Sequence, residues 1–232
     1  MQRRHVKLGF AGILLAGLAW AGHESGPDRE RVVEAMMRAE AARFDNVEGY
    51  TRLQRYSASD DRFGLKAEMV VRMHYERSTG KTFEIVSRGG SPLIQSRVFD
   101  ALLEEEVELS KVLTHERGLV NARNYSFRLT GQGEFAGRQC YLLELIPRHR
   151  DKHLIQGHAW VDTEDYGIVH VEGRPAESLS FWIGKPVVIQ DFEKLSGFWF
   201  AARRHSFMTG ILTGPSELTV EYSDYQIRLK AP

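Results

Sequence analysis

Four residues of types that bind metal ions lie close together in the chain, at His149, Asp151, His153 and His158. A zinc site needs three or four such groups converging on one ion. The segment RHRDKH (148–153) interleaves them with three cations, whose charge opposes binding of a divalent ion. The sequence contains neither an HExxH nor a CxxC motif. We therefore expect a polar loop here, with no metal and no cofactor.

Residues suited to acid–base or nucleophilic catalysis are present but do not form a recognisable motif. No GxSxG elbow positions a serine. Asp162 and Asp165 fall in a predicted turn, where short acidic side chains normally cap backbone N–H groups. Cys140 lies in an apolar strand without an adjoining base, which favours a small buried core residue over a nucleophile. Because it is the single cysteine, no intramolecular disulfide can form. We expect no catalytic site, with a hydrolase on a β scaffold as a remaining alternative.

The N-terminus has the pattern of a secretion signal. Arg3, Arg4 and Lys7 precede the uncharged run LGFAGILLAGLA (8–19), and Ala19-Trp20-Ala21 fits the small-x-small cleavage pattern. This predicts a signal peptide over residues 1–21 and a single domain over 22–232. An uncleaved anchor and twin-arginine export are the alternatives, although the run is short for a span and the Arg3-Arg4 flanks favour the general secretory route. No cysteine follows the cleavage site, so no N-terminal lipid anchor is expected.

Charge and hydropathy narrow the classes of partner. The 232 residues contain 31 basic and 31 acidic side chains. Because the leader holds three of the cations and no acid, the remaining chain is weakly acidic, which argues against nucleic acid as a partner. No later segment is long and apolar enough to span a membrane. These features predict a soluble protein of the periplasm.

Two amphipathic helices are predicted, one near the start and one in the middle of the chain. Pro27 suits a first helical turn, and Ser91 and Pro92 suit the N-cap and first residue of a helix over 92–112. Glu104 to Glu106 and Glu108 are interpreted as a solvated face. The first helix either packs on a sheet or covers a cavity with its adaptable methionines. The inward-facing candidates, which would form a lid, are Val33, Met36, Met37, Phe44, Ile94, Val98 and Leu102, with Ala41, Ala101 and Leu109 on the same stripes.

The rest of the chain alternates between apolar and polar residues, as half-buried strands do. The clearest case is LKAEMVVRMHY (65–75), followed by a turn and a second strand that completes a hairpin. Gly131 and Gly133 are predicted to end the strand that begins at Tyr125. Phe198 and Phe200 should share one side of a strand and Trp199 the other, while Phe181-Trp182 is interpreted as a candidate exposed apolar loop. Short polar turns between nine to eleven such strands predict an antiparallel meander.

The motifs GRQCYLLELIPR (137–148), GHAWVDTEDYGIVHVEGR (157–174), FEKLSGFWFA (192–201) and LTVEYSDYQI (218–227) resemble the LolA/LolB-like superfamily. The resemblance is to bacterial outer-membrane lipoprotein-sorting proteins and, through the fold, to the lipid-sensing domain of MucB/RseB-type regulators. It implies an α+β, mainly β fold, a half-open antiparallel β-barrel with two amphipathic helices across its mouth. The motifs are structural, so the resemblance identifies a scaffold better than a function.

The resemblance also implies a non-enzymatic function, in which the protein binds the acyl chains of lipoproteins or other lipids in an apolar cavity. It implies neither a metal nor a cofactor. The alternative is a sensor or scaffold in the cell envelope that binds another protein. The alternation of apolar and polar residues along the strands predicts which residues would line the cavity. They are Met69, Val71, Met73, Phe83, Ile85, Phe127, Leu129, Tyr141, Leu143, Leu145, Val161, Val169, Val171, Phe198 and Phe200.

Overall fold

A computed structural model of the chain describes residues 28–111, 115–178, 186–210 and 214–231. The predicted signal peptide and the Phe181-Trp182 loop lie outside these residues. Ten strands form one antiparallel sheet in the order β3-β2-β1-β10-β9-β8-β7-β6-β5-β4. The strands are β1 (Val47–Asp60), β2 (Leu65–Glu76), β3 (Gly80–Gly90), β4 (Tyr125–Phe135), β5 (Arg138–Pro147), β6 (Ile155–Asp162), β7 (Ile168–Pro175), β8 (Val187–Leu195), β9 (Phe198–Gly210) and β10 (Gly214–Leu229).

The sheet is open, because β3 and β4 are its two edges and each pairs with one neighbour only. The first and last strands, β1 and β10, pair with each other and are the third and fourth strands of this order. The predicted class, a half-open antiparallel β fold with two helices, is confirmed. None of the helices among the described residues has a stretch that could cross a bilayer.

Alternation in the sequence is reproduced as alternation in burial. On β2 the side chains of Ala67, Met69 and Val71 are buried, while Lys66 and Glu68 are exposed. Successive residues of a strand point to opposite sides of the sheet, so one face of β2 is apolar and the other is wet. The second helix packs on this face of β2, and α1 packs on Leu143 of β5 and Val161 of β6. The side of the sheet that the helices cover is called the concave face below.

The strand that begins at Tyr125 is longer than predicted. It continues through Gly131 and Gly133 to Phe135, because a bulge between Leu129 and Gly131 absorbs the irregularity without ending the pairing to β5. The hairpin then turns at Ala136 and Gly137, both with positive φ (48° and 78°), as a two-residue turn between antiparallel strands requires.

The first helix, α1 (Arg29–Asn46), begins at the N-cap Asp28, whose carboxylate accepts a hydrogen bond from the Glu30 N–H. Its buried residues are Val32, Ala35 and Met36. Of the predicted stripe, Met36 is buried and Ala41 is exposed. Val33, Met37 and Phe44 are half-buried, so the inward face is rotated slightly from the one predicted.

The second helix is continuous from residue 92 to 109 but is not uniform. It consists of α2 (Pro92–Ile94), a π-helical turn (Gln95–Phe99) and α3 (Asp100–Leu109). Ser91 caps it and Pro92 is its first residue, as predicted. The Gln95 amide donates to the Glu68 and Gly89 carbonyls at 2.9 and 2.8 Å, which fastens the start of the helix to β2 and β3.

The π-helical turn explains an error in the predicted inward stripe. A π turn closes i→i+5 hydrogen bonds and so shifts the phase of all residues after it. The buried apolar side chains are therefore Ile94, Phe99 and Leu103. Val98 and Leu102 are only half-buried. Ala101 is exposed, contrary to the prediction.

Candidate functional site

The predicted cavity-lining residues of β2 are fully buried on the concave face. Met69, Val71 and Met73 have no exposed surface. Met69 and Val71 pack in one cluster with Phe99 and Leu103 of the second helix. The second helix therefore lies directly on the apolar row of β2.

The other half of the concave face is covered by the first helix. Leu143 and Val161 have no exposed surface and pack with Val32 and Met36 of α1. Leu145 and Val171 continue this face into a neighbouring cluster around Tyr125 and Leu154. The remaining predicted residues that pack half-buried onto the clusters are Phe83, Phe127, Leu129, Tyr141 and Phe198.

Two of the predicted lining residues lie elsewhere. Ile85 is 48% exposed on the edge strand β3, where no further strand covers it. Val169 is buried but sits at a bulge that places Ile168 opposite Val161. Alternation assumes a regular strand, so Ile168 was missed as the inward residue at this point.

The concave face also carries a cluster of aromatic rings. The Tyr50 ring centroid lies 5.1 Å from Tyr75, 5.4 Å from Phe200 and 5.8 Å from Tyr225. Phe198 packs on the same cluster as Phe200. On the opposite side, the Trp199 indole donates to Asp165 at 3.1 Å, so the predicted division of these three aromatics is confirmed.

Beside the aromatic cluster lies a buried polar centre that the sequence analysis did not predict. A single oxygen of Glu106, Oε1, accepts from Arg52 at 2.8 Å, from Lys81 at 2.7 Å and from the Gln54 amide at 3.2 Å. Arg52 is 5% exposed and Gln54 is fully buried. Three donors on two strands thus converge on one carboxylate from the second helix.

Glu106 corrects the interpretation of the acidic run as a solvated face. Glu104 is exposed, but the Glu106 side chain is only 20% exposed and points onto the sheet. Burial alone would raise the pKa of Glu106, yet the adjacent Lys81 and Arg52 outweigh it and lower that pKa to about 2. Glu106 is therefore ionised at neutral pH.

Aromatic rings surround the Arg52 guanidinium. Its central carbon lies 4.2 Å from the Tyr222 ring centroid, and its Nη1 donates to the Tyr225 hydroxyl at 2.8 Å. Burial, with Glu106 nearby, raises the pKa of Tyr222 to about 12, so this hydroxyl stays neutral. Arg52 Nε has no hydrogen-bond partner among the described residues and is buried.

An open groove of about 400 Å³ runs beside this centre at the β8–β9 turn. Its apolar wall is made by Leu195, Tyr222, Tyr225 and Ile227. Its rim is polar and carries the Glu193 and Asp224 carboxylates together with Ser196 and Ser223. The rim acids favour cationic over anionic groups at this position.

The residues first considered for chemistry are dispersed into structural roles. His153 Nδ1 lies 3.3 Å from Glu105, while Asp151 pairs with Arg117 at 3.0 Å. Among the described residues, no three His, Cys, Asp or Glu side chains are placed to hold a metal ion. The Asp162 carboxylate accepts from the Glu164 and Asp165 N–H groups, as a turn cap does, and Cys140 is fully buried.

No protein-family model matches the chain, and no curated protein matches its sequence. Solved structures resemble it weakly. A DUF1329 family protein from Desulfovibrio piger shares 13% identity over 88% of this chain and 94% of its own, with a TM-score of 0.47. An outer-membrane lipoprotein-sorting protein domain from Vibrio parahaemolyticus shares 14% over 88% and 95%, also at 0.47. A LolA superfamily protein from Nitrosomonas europaea shares 12% over 88% and 94%, at 0.42.

LolA-like proteins are thus among the solved structures that the chain resembles, at TM-scores too low to carry a further argument. Identities of this size carry no information about ligands or partners. What this chain binds must therefore be argued from its own residues, above all from the concave face and the polar centre beside it.

Proposed function

We propose that this protein is a periplasmic, non-enzymatic carrier that binds the acyl chains of lipoproteins or other lipids on its concave face. The main support is the fully buried apolar row of Met69, Val71 and Met73, of which Met69 and Val71 lie under the second helix. Each methylene that an acyl chain buries in such a site contributes about 0.8 kcal/mol. An acyl chain that replaced Phe99 and Leu103 on this row would keep it shielded from water.

The cover of the concave face suits a reversible lid. The two helices pack in separate clusters, with α1 against Leu143 and Val161 and the second helix against Met69 and Val71. Methionine side chains are flexible and adapt to differently shaped partners. The second helix can therefore leave β2 without removing α1 from the other half of the sheet. Export to the periplasm, predicted from the leader, would bring the carrier to lipids that need transfer through water.

Native mass spectrometry of the protein purified from periplasm tests this proposal, together with titration of a fluorescent fatty acid. We expect co-purified lipid and saturable binding. Val71→Trp, which fills the buried row, should abolish binding, whereas Val86→Trp should not, because Val86 is 52% exposed on β3. Absence of lipid and of fatty-acid binding in correctly folded wild type would refute a carrier.

A second function, an envelope sensor or scaffold that binds another protein, is favoured by the free edge of the sheet. Residues 84–90 of β3 are all exposed, including Ile85 and Val86. An uncovered edge strand presents unpaired backbone groups that another chain can join. Cross-linking from position 85 in envelope extracts tests it. A stoichiometric partner that survives Val71→Trp but is lost with Val86→Lys would favour the sensor.

A further inference from the structure

We propose that Arg52, Lys81 and Gln54 form a receptor for the anionic headgroup of the carried amphiphile, a carboxylate or a phosphate, and that Glu106 competes with this headgroup. The inference rests on the carrier function proposed above and names the chemical class of its ligand. The receptor consists of sheet residues only, so it persists when the second helix moves.

Two of the three donors of the receptor, Arg52 and Gln54, are held in place independently of Glu106. The Tyr56 hydroxyl donates to the side-chain oxygen Oε1 of Gln54, which leaves the side-chain nitrogen Nε2 to face Glu106. The Tyr225 hydroxyl accepts from Arg52 and donates to the Ala201 carbonyl at 2.7 Å. Preorganised donors of this kind bind an anion without first having to be ordered.

The receptor has more donor capacity than Glu106 uses. Two cations, Arg52 and Lys81, face one carboxylate, and all three hydrogen bonds reach the same oxygen. Arg52 is only 5% exposed, and its buried Nε has no hydrogen-bond partner among the described residues. A buried donor left unpaired is costly. An anion with several acceptor oxygens is not constrained by attachment to the helix, as Glu106 is. It could therefore also accept a hydrogen bond from Arg52 Nε.

The receptor adjoins the apolar row in register. Arg52, Gln54 and Tyr56 pair across the strands with Met73, Val71 and Met69 respectively, so polar and apolar side chains stand side by side on one face. An amphiphile with its anion on Arg52 and Lys81 would therefore lay its chain along β2.

Binding there requires the second helix to move. Leu103 and Glu106 are three residues apart and share the inward face of α3, with Leu103 in the apolar cluster and Glu106 in the receptor. A single movement of α3 would therefore let a headgroup displace the Glu106 carboxylate and an acyl chain displace Leu103. The groove at the β8–β9 turn does not serve this purpose, because its rim acids Glu193 and Asp224 repel anions.

Competition measured by native mass spectrometry tests the inference with three probes that share one chain: tetradecanoate, tetradecyl phosphate and tetradecanol. We expect wild type to prefer the anions. Glu106→Gln removes the competing charge and should raise the preference for anion over alcohol about tenfold, the size of one charge-assisted hydrogen bond. Glu104→Gln makes the same charge change on the exposed face of the helix and should have no effect.

Lys81→Met is the second variant, because it leaves the Arg52–Glu106 pair in place and so does not depend on Glu106→Gln folding. It should lower the preference for anions about tenfold, whereas Lys66→Met, at an exposed residue, should not. Stronger binding of phosphate than carboxylate would indicate phospholipids, and the reverse would indicate fatty acids.

Two results would overturn the inference and separate it from the proposal on which it rests. If all three probes bind alike and neither Glu106→Gln nor Lys81→Met changes their ratio, the receptor is wrong and the carrier function stands. If none of the probes binds, the carrier function itself fails.

Discussion

Arg52 on β1 and Glu106 on α3 are 54 residues apart in the chain, yet Arg52 Nη2 lies 2.8 Å from Glu106 Oε1. Their ion pair joins the sheet to the second helix beside the apolar cluster that both form. With Lys81 and Gln54 it makes this point of the interface a charged centre, in addition to the Gln95 amide and the Arg88–Asp100 pair, which also cross the interface. Several measurable properties of the protein depend on that point.

Glu106→Ala should destabilise the fold strongly. Removing one partner of a buried ion pair leaves an uncompensated charge and typically costs about 3–5 kcal/mol. Glu104→Ala, on the exposed face of the same helix, should change the free energy of unfolding by less than about 0.5 kcal/mol. Urea unfolding followed by circular dichroism measures both. Equal effects for the two variants would contradict a buried pair.

Stability should also depend on pH through Glu106. Its pKa is lowered from 4.5 to about 2 in the folded protein, so the ionised form favours folding. That stabilisation is complete above the unfolded-state value and is lost as the pH falls from 4.5 towards 2. Urea unfolding at about pH 6 and about pH 3 should show a larger loss in wild type than in Glu106→Gln, which cannot titrate. Parallel losses in the two proteins would show that other carboxylates dominate.

The apolar row predicts a contrast between buried and edge residues. Met69→Ala should cost about 2–5 kcal/mol, because Met69 is fully buried and its removal leaves a cavity beneath the second helix. Ile85→Ala should cost less than about 1 kcal/mol, since Ile85 is 48% exposed on β3. Unfolding free energies measured in urea separate the two, and a cost for Ile85→Ala as large as for Met69→Ala would refute the assignment.

The β6–β7 pairing depends on glycine at position 157. A Cβ there would lie 2.0 Å from the Glu172 carbonyl oxygen, a backbone atom that cannot move alone. Gly157→Ala should destabilise by about 1–3 kcal/mol or more. Gly131→Ala is the matched control on β4, where a Cβ meets nothing within 4 Å, and it should be neutral or stabilise slightly. Thermal unfolding of both variants tests the difference.

Alternation predicted most of the sheet, because a strand with one buried face shows its structure directly in the sequence. Met69, Val71 and Met73 lie on the buried face that alternation predicts, while their role in binding a ligand stays a prediction. The prediction failed where a bulge changes the count, as at Gly131 and at Val169, since a bulge inserts one residue without a sequence signal of its own.

The polar centre could not be predicted for a different reason. On β1, Arg52 and Gln54 occupy inward positions that alternation assigns to apolar residues. Glu106 falls within a run of acids that normally marks a solvated surface. Each residue becomes interpretable only when its partner is known, and the partners come from distant segments. The one available signal was the even spacing of Arg52, Gln54 and Tyr56 on a single strand face.

The way the second helix is fastened makes it a lever. Gln95, at the π-helical turn, is the fulcrum, because its amide is bonded to two strands. The residues from Gln95 to Glu106 span about 16 Å at the usual helical rise, so a tilt of about 10° at the fulcrum moves the Glu106 carboxylate by about 3 Å. That displacement is as long as the hydrogen bonds it would break. A small angular change near β3 is thereby converted into a complete break of the contact at the far end of the arm.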